Sequence, residues 1–335
     1  MISKLFAAES RSFSAPENLA AEAFLTEHAG PGEMTLFLWQ NERTVVIGRN
    51  QNAWKECRLD ALKQDGGTLV RRLSGGGAVF HDSGNLNVSF CVPRAEEDIP
   101  GQTQIILNAL RKLGVQATRS GRNDLETEGR KFSGHAIYRQ GASSCHHATL
   151  MLNVDRESLE KYLRVSPLKL QSRGVESVRA RVVNLAERFP SLTIPDLCTA
   201  LKEAFSEAYG LPAEPYPWQE RLTGGGGDRL RSLRERFSSW EWTFGRPIPF
   251  GIEDQARFDW GEAQLQLRVE HGRIQECRCW TDAMDPLWAE KAENALRGVR
   301  FTPEAIRAAL ADVSCGPEPR VREDLESLLT RMTER

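Results

Sequence analysis

The chain has 335 residues, which is too many for one small domain and enough for two at about 150 residues each. With 40% hydrophobic and 27% charged residues, its composition is that of a globular protein and excludes a disordered chain or a collagen-like fibre. The 44 basic and 46 acidic residues give a net charge of -2, which disfavours a nucleic-acid partner, since nucleic-acid-binding proteins normally carry a basic excess.

The predicted elements mix helices and strands without a strict βαβ alternation, which favours an α+β fold. In chain order we predict a helix after a Ser14–Glu17 capping box, a hairpin of strands 34–39 and 44–48, strands 68–72 and 86–92, a helix over 102–113, a hairpin of strands 123–127 and 131–139, a strand over 148–154, and helices over 156–163 and 195–209.

The second part of the chain begins with a Pro- and Gly-rich stretch, residues 211–229. Its run Gly224–Gly227 predicts a flexible loop rather than a phosphate site, because no Lys-Ser/Thr follows it. We place a domain boundary in the aromatic and proline-containing segment that follows, which gives domains 1–245 and 246–335. The second domain is predicted to contain strands about a His271-Gly272 turn and then helices near 286–296, 303–311 and 318–333.

The seven cysteines are scattered and form no CxxC pair, so a zinc ribbon and a thioredoxin-like motif are excluded. We interpret them as buried free thiols, which suit a reducing cytoplasm. No apolar run approaches the ~18 residues of a membrane span, so we expect no membrane association. The N-terminal segment lacks the apolar stretch of a secretory signal, which also favours a cytoplasmic location.

The densest chemical signal is the segment from Arg71 to Asp82, which contains Ser74-Gly75-Gly76-Gly77. Glycines without Cβ atoms let a ligand's phosphate approach backbone N–H groups, and the paired arginines Arg71 and Arg72 suit phosphate oxygens. The residues alone leave a glycine-rich hairpin with solvated arginines equally open. The absence of GxxxxGK[ST] and GxGxxG motifs argues against a P-loop or a Rossmann site.

A second constellation places Asp124 and Lys131 on the two strands of a predicted hairpin, across from each other or nearly so. A carboxylate can hold a divalent cation, and a lysine can neutralise charge on a carbonyl or phosphoryl oxygen. Taken alone, a surface ion pair worth under about 1 kcal/mol is the simpler interpretation.

A third constellation is Cys145-His146-His147. Adjacent histidines in a strand point to opposite faces, so they are poor joint ligands for one metal. The same geometry disfavours Cys145 as a nucleophile activated by its neighbour His146.

Taken in order, these segments resemble the lipoate–protein ligase family, in particular its bacterial two-domain type. The resemblance runs almost end to end, and its order and spacing make it specific. It is carried by Asn18-Leu19-Ala20-x-Glu22, Leu38-Trp39, Val45-Val46-Ile47-Gly48-Arg49-x-Gln51-Asn52, Trp54-Lys55-Glu56-Cys57, Arg71 to Asp82, Gly121 to Leu125, Lys131 to Gly134, His146-His147, Ser177-Val178-Arg179-x-Arg181-Val182-x-Asn184-Leu185 and Trp240-Glu241-Trp242-x-Phe244-Gly245.

The resemblance implies a catalytic α+β domain of the kind shared with biotin ligases, followed by a small accessory domain of α+β type. It implies an enzyme that uses ATP and Mg²⁺ to activate lipoate as lipoyl-AMP. The lipoyl group would then pass to a lysine of an apo lipoyl domain, in 2-oxoacid dehydrogenase E2 subunits or in the glycine cleavage H protein. We expect a monomer, and the residues leave lipoate and octanoate open as the preferred acid.

The resemblance also implies roles for individual residues. Lys131 would be catalytic and would bridge the lipoyl carbonyl and the phosphate. The other implied contacts are Arg72, Gly77, Ala78, Val79 and Phe80 to ATP, and Asn85 and His147 to lipoate. Asp124 is a reasonable Mg²⁺ ligand, because Mg²⁺ favours one carboxylate together with phosphate oxygens and waters. An apolar slot for the lipoyl tail is expected from Leu86, Val88, Phe90 and Leu150.

Three alternatives are weighed against this interpretation. Biotin ligases carry Lys-Trp-Pro before their Asn-Asp pair, and this chain does not. Octanoyl transferases use a catalytic cysteine where this chain has Arg122-Asn123-Asp124. A non-catalytic module that binds lipoyl domains would have no use for both Lys131 and Arg72.

Overall fold

The computed structural model of the chain describes residues 1–121, 123–164, 182–314 and 320–333. Arg122 and the motif residues 177–181 therefore lie outside the described residues. The strands are β1 (Lys4–Glu9), β2 (Glu33–Trp39), β3 (Thr44–Ile47), β4 (Thr68–Arg71), β5 (Val79–His81), β6 (Asn85–Pro93), β7 (Thr118–Ser120), β8 (Asp124–Thr127), β9 (Arg130–Gln140), β10 (Ser143–Met151), β11 (Ala213–Pro215), β12 (Ile252–Phe258), β13 (Gly261–Glu270) and β14 (Arg273–Thr281).

The helices are α1 (Ala15–Glu27), α2 (Ala53–Glu56), α3 (Leu59–Gln64), α4 (Ile99–Lys112), α5 (Arg156–Tyr162), α6 (Ile194–Tyr209), α7 (Trp218–Arg221), α8 (Gly226–Ser238), α9 (Trp240–Phe244), α10 (Leu287–Leu296), α11 (Pro303–Leu310) and α12 (Val321–Thr333). Among the residues described, none of these helices combines the length and the apolar character needed to cross a bilayer.

An eight-stranded mixed sheet forms the centre of the larger unit, with strand order β11-β1-β2-β6-β10-β9-β8-β7. One face packs on α4 and α6, where Phe90 of β6 meets Phe205 of α6 in a large apolar core. The other face packs on α1 and α8 in a second core that contains Phe24 and Phe237. Because both faces are covered, the central strands are buried along almost their whole length.

A separate three-stranded sheet, in the order β4-β3-β5, carries the glycine-rich segment between β4 and β5. The predicted hairpin of strands 34–39 and 44–48 is wrong, because β2 pairs with β1 and β6 whereas β3 pairs with β4 and β5. The polar segment between β2 and β3 joins two sheets instead of turning within one.

Two local predictions about helix starts are also wrong. Ser14 makes no side-chain cap on α1, and Ser12 Oγ instead donates to Glu17 at 2.6 Å. The predicted flexible loop at Gly224–Gly227 overlaps the start of α8, because Gly226 and Gly227 are its first two residues. A Cβ atom at Gly226 would lie 2.0 Å from the Arg221 carbonyl oxygen, so glycine is required there by close backbone packing.

The C-terminal unit is a three-stranded antiparallel sheet, β12-β13-β14, covered by α10, α11 and α12 around its own apolar core. The predicted turn at His271-Gly272 is confirmed, with both residues at positive φ. The predicted α+β fold is confirmed in both units. The expected domain boundary at 245/246 lies between α9 and β12.

Candidate active site

The glycine-rich segment borders a cavity of about 170 Å³ between the small sheet and strands β9 and β10. Gly76, Gly77, Ala78 and Val79 form one wall, and Lys131 and His147 lie on the strand side. Most of the predicted site residues therefore meet at one cavity. Leu19, Trp39, Val46 and Asn87 also line it.

Close packing explains the glycines of this segment. A Cβ atom at Gly48 would lie 2.2 Å from the Gly76 carbonyl oxygen, and Gly76 itself has φ +86°. A Cβ atom at Gly75 would lie 2.3 Å from the carbonyl oxygen of Ala283 in the C-terminal unit. Glycine thus lets the segment lie tightly between its neighbours while it lines the cavity.

Arg71 is a buried structural arginine, only 1% exposed. It donates to five backbone carbonyl oxygens, those of Gly48, Arg49, Gln51, Trp242 and Thr243. Burial lowers its pKa to about 9, so the guanidinium stays charged at neutral pH. Its donors are used to join the segment after β3 to α9.

Arg72 is also buried, at 6% exposure, so the alternative of two solvated arginines is wrong. Its donors reach Val46 O at 3.1 Å, Ser74 Oγ at 2.9 Å, Gly75 O at 2.6 Å and Gly77 O at 2.8 Å. Burial lowers the pKa of Arg72 to about 10, and its charge therefore persists at the cavity wall.

Lys131 Nζ lies 2.7 Å from Asp124 Oδ1, and each side chain is about one-third exposed. The expected proximity is confirmed, but the two residues are not direct cross-strand partners. Asp124 pairs with Gly134 and Lys131 pairs with Glu126, with a register shift between these pairs. The lysine extends back along the strand, so a Cβ atom at Gly134 would be 3.3 Å from Nζ.

A second cavity of about 180 Å³ adjoins the first and shares Asn123, His135 and Ala136 with it. Asp124 borders this second cavity, and Met284 from the C-terminal unit forms part of its wall. The Asp124–Lys131 pair therefore stands where the two cavities meet.

His146 and His147 face opposite sides of β10, as predicted. His146 contacts His135 and Gln102 at 2.8 and 3.0 Å, whereas His147 contacts Glu22 and Ser74 at 2.9 and 2.8 Å. Burial lowers the pKa of His135 to about 3 and holds that of His146 well below its usual range. The rings of His135 and His146 are therefore neutral at physiological pH.

Cys145 is fully buried, and burial raises the pKa of its thiol well above the usual value. Such a thiol is a poor nucleophile. Cys145 also belongs to the one group of three potential metal ligands found among the described residues, with Glu22 and His147, whose ligand atoms lie within 4.8 Å of one another. Glu22 Oε1 and His147 Nδ1 already contact each other at 2.9 Å, so these two ligand atoms are paired within the protein.

The predicted apolar slot is wrong. Leu86, Val88, Phe90 and Leu150 point to the other face of the sheet and pack against α4 and α6. Asn87, which lies between these residues on β6, faces the cavity instead. Asn85 donates a hydrogen bond to the Asn87 side chain at 3.2 Å. The Phe80 ring is likewise directed away, into a core with Tyr162. Any contact of Phe80 with a nucleotide would therefore use its backbone.

Comparisons with known proteins give family matches in both units of the chain. The family model described as "Lipoyl protein ligase A/B catalytic domain" matches residues 14–206, and "Bacterial lipoate protein ligase C-terminus" matches residues 248–329.

The chain belongs to the lipoate–protein ligase family.

A curated relative in this family, lipoate-protein ligase A of Bdellovibrio bacteriovorus, is 39% identical over 303 residues, which cover 88% of each chain. The crystal structure of P. falciparum LipL1 in complex with lipoate is similar with a TM-score of 0.85 and 25% identity, covering 97% of this chain and 99% of that one.

Two further solved structures are similar to the larger part of this chain. A lipoate-protein ligase A bound with ATP has a TM-score of 0.63 and 27% identity, covering 73% of this chain and 99% of that one. A bipartite lipoate protein ligase from Thermoplasma acidophilum, described with its E2 lipoyl domain, has a TM-score of 0.64 and 26% identity, with 75% and 100% coverage.

Sequence reasoning missed two polar residues that contact His147 beside the cavity, Glu22 and Ser74, although both lie in motifs that carried the resemblance. The signal for the cavity side of the sheet was the polar alternation Asn85, Asn87, Ser89 within an otherwise apolar strand. In a strand buried on both faces, polar residues at every second position indicate the side where a ligand or a polar network lies.

Proposed function

We propose that this protein is an ATP-dependent lipoate–protein ligase that forms lipoyl-AMP and transfers the lipoyl group to a lysine of an apo lipoyl domain. The observation that carries the proposal is the Asp124–Lys131 pair at the junction of two cavities, beside a glycine-lined wall. One cavity can receive the acyl chain and the other the nucleotide, with the lysine at the reacting groups between them.

In the first step, a lipoate carboxylate oxygen attacks the α-phosphorus of ATP, and the bond to diphosphate breaks. Negative charge grows on the phosphoryl oxygens as the new bond forms. Lys131 Nζ is a fixed cation that stabilises this charge more in the transition state than in the ground state. The charge of Arg72 at the cavity wall acts in the same direction.

Magnesium is supplied with ATP in this proposal, and the residues fit it. Asp124 offers one carboxylate at the cavity junction, and among the described residues its Oδ1 has no hydrogen-bond donor other than the Lys131 ion pair. Mg²⁺ favours one or two carboxylates together with phosphate oxygens and waters. Asp124 would therefore hold the ion, which would neutralise phosphate charge.

In the second step, the neutral amine of the acceptor lysine attacks the lipoyl carbonyl carbon, the bond between that carbon and the phosphate oxygen breaks so that AMP leaves, and the amine releases one proton to solvent. The carbonyl oxygen becomes an oxyanion in the tetrahedral intermediate. Lys131 can stabilise that oxygen as well, because the same carbonyl is joined to the phosphate in the adenylate.

Each ligand of this proposal has support among similar proteins of known structure, one bound with lipoate, one bound with ATP and one described with its E2 lipoyl domain. We propose as acceptors the lipoyl domains of 2-oxoacid dehydrogenase E2 subunits or the glycine cleavage H protein. Free thiols at the six described cysteines, five of them buried, support a reducing cytoplasm as the site of action.

The second candidate is a cysteine-dependent acyl transferase, which would need a reactive thiol at the cavity. Among the described residues, no cysteine lines either cavity, and Cys145 is fully buried. These observations favour the ligase.

The test is incubation with ATP, Mg²⁺, lipoate and an apo lipoyl domain, read by the mass of the acceptor. We expect the lipoyl mass increment only when all components are present, and Cys145→Ser should keep most of the activity. Acyl transfer from an acyl carrier protein without ATP, lost in Cys145→Ser, would contradict the ligase assignment.

A further inference from the structure

A buried chain of three side chains, Gln102, His146 and His135, ends where the two cavities meet. Gln102 Oε1 lies 3.0 Å from His146 Nδ1, and His146 Nε2 lies 2.8 Å from His135 Nδ1. All three residues are buried, and His135 is the most exposed of them at 8%. The chemistry proposed above uses none of them.

The hydrogen bonds of this chain run in one direction. Gln102 Oε1 can only accept, so His146 carries its proton on Nδ1. Because the His146 ring is neutral, its Nε2 accepts from His135 Nδ1. Burial, together with the charge of Lys131, lowers the pKa of His135 to about 3, so this ring holds no second proton. His135 Nε2 therefore presents a lone pair.

That lone pair has no donor in the protein. Among the described residues, His135 Nε2 is a buried atom without a hydrogen-bond partner. The backbone N–H and C=O of His135 already bond to Asn123, so the ring is what this residue offers to a ligand at the two cavities that it lines. Buried polar atoms are nearly always satisfied in folded proteins, and an exception beside a cavity indicates a partner that arrives with a ligand.

The missing partner must carry a hydrogen on nitrogen or oxygen. Beside the Asp124–Lys131 pair, the proposed reaction brings together a carboxylate, phosphoryl oxygens and the amine of the acceptor lysine. The carboxylate and the phosphoryl oxygens accept hydrogen bonds, whereas the amine donates them. A neutral imidazole suits the amine, because it accepts one N–H without taking the proton. The lone pair of the amine then stays free for the carbonyl carbon.

We propose that His135 orients the amine of the acceptor lysine for its attack on the lipoyl carbonyl carbon, and that Gln102 and His146 are positioning residues that fix the His135 ring. This inference rests on the proposed ligase function. It assigns His135 to the second step alone, so the activation of lipoate by ATP should not need it.

Two substitutions separate the two ring nitrogens of His135. His135→Asn keeps a polar group where Nδ1 contacts His146 but has no atom at the position of Nε2. His135→Gln reaches the position of Nε2 with an amide oxygen but gives up the contact with His146. The first step is measured as ATP–diphosphate exchange. The second is measured in a single turnover, from lipoyl-AMP formed on the enzyme to an apo lipoyl domain.

We expect His135→Asn to slow the transfer about tenfold, and His135→Gln to stay within about threefold of the wild type, because only the first loses the hydrogen bond to the amine. Exchange should change less than about twofold in both variants, since a group used only in the second step leaves the first unchanged. The reverse order of the two variants would show that His135 only supports His146, and would overturn the proposal. A higher Mg²⁺ requirement for exchange in His135→Asn would also overturn it, because the ring would then hold a water of the ion.

His28→Asn is the matched control. His28 also uses its Nδ1 within the protein, 2.8 Å from Phe24 O, and it lines neither described cavity. Its substitution should leave both steps unchanged. Circular dichroism verifies that each variant is folded.

The ring of His135 also gives a test that does not depend on turnover. Its side-chain ¹⁵N signals in the wild-type protein, assigned with His135→Gln, should show a neutral ring protonated on Nδ1 alone. A proton on Nε2 refutes the proposal even in an active enzyme, because the ring would then donate. Wild-type protein without ATP–diphosphate exchange contradicts the ligase function, and the proposal falls with it. Normal exchange with a transfer rate that is insensitive to His135→Asn contradicts the proposal alone.

Discussion

At the scale of single residues, backbone carbonyl oxygens hold charged side chains in place as much as oppositely charged groups do. The two arginines before the glycine-rich segment are adjacent in sequence but differ in use. Arg71 donates to backbone carbonyl oxygens and so joins α9 to the small sheet, whereas Arg72 donates to carbonyl oxygens of the glycine-rich segment and shapes the cavity wall. Lys131 keeps a partly exposed ammonium beside a single carboxylate. It is the cation that we propose stabilises the reacting phosphoryl group.

We predict that Lys131→Ala lowers the rate of lipoyl transfer by ~10²–10³, because one preorganised charge at the reacting groups is lost. Its ion pair is one-third exposed, so the loss of stability should stay within about 1 kcal/mol. Activity is read by acceptor mass and stability by urea unfolding. Lys112→Ala is the control, because the Lys112 side chain has the same 34% exposure and pairs with Glu203 and Glu207 of α6, which line neither described cavity. Near wild-type turnover in Lys131→Ala would show that the ion pair is structural.

At the scale of elements, local pattern predicted most helices and strands but not which faces and partners they have. The hairpin of β8 and β9 was predictable, because Glu128 and Gly129 both turn the chain at positive φ. The pairing of β2 and β3 was not, because strand partners depend on long-range burial that a short polar connection does not encode. Likewise Gly226 is explained only by a contact with Arg221 O.

Prediction of the site had the same limit, because local motifs were predictable but the faces on which side chains lie were not. Segments that carry chemistry in sequence, such as Lys131 and the glycine-rich segment, do meet at one cavity. The prediction of the apolar slot was wrong, because β6 is buried on both faces and apolar residues alone do not reveal which face meets a ligand. Glu22 was missed as a site residue, because its contact with His147 joins helix α1 to strand β10 across the sheet.

The two faces of β6 make a testable pair. Phe90→Ala should destabilise the protein by about 3–5 kcal/mol, because it empties a site in the core between the sheet and α6. The KM for lipoate should be unchanged at temperatures where the variant is folded. Asn87→Ala, on the cavity face of the same strand, should change the KM for lipoate at a smaller cost in stability. Urea unfolding and initial rates decide between them, and a KM effect confined to Phe90→Ala would restore the rejected slot.

At the scale of the whole molecule, the C-terminal unit closes over the glycine-rich segment. Gly76 N donates to Ala283 O at 2.9 Å, and Thr281 N donates to Asn50 O at 2.9 Å. Asn50 Nδ2 in turn donates to Pro286 O at 2.6 Å, and Arg49 pairs with Glu290. Met284 completes the wall of the second cavity. In the proposed reaction an acceptor domain brings its lysine to this site, so we expect these contacts to open when the adenylate forms, with the segment at Gly245 as the hinge.

Gly75→Ala tests how tightly the two units depend on that contact. A Cβ atom there would lie 2.3 Å from Ala283 O and 2.4 Å from Met284 O, and both are backbone atoms that cannot turn aside. The C-terminal unit should therefore move away while each core stays folded, giving a larger radius of gyration by small-angle scattering with unchanged far-UV circular dichroism. Gly251→Ala is the matched control, because no heavy atom lies within 4 Å of its added Cβ. Identical scattering from both variants would show that the glycine-rich segment yields instead of the interface, and the activity of Gly75→Ala would then report on the segment alone.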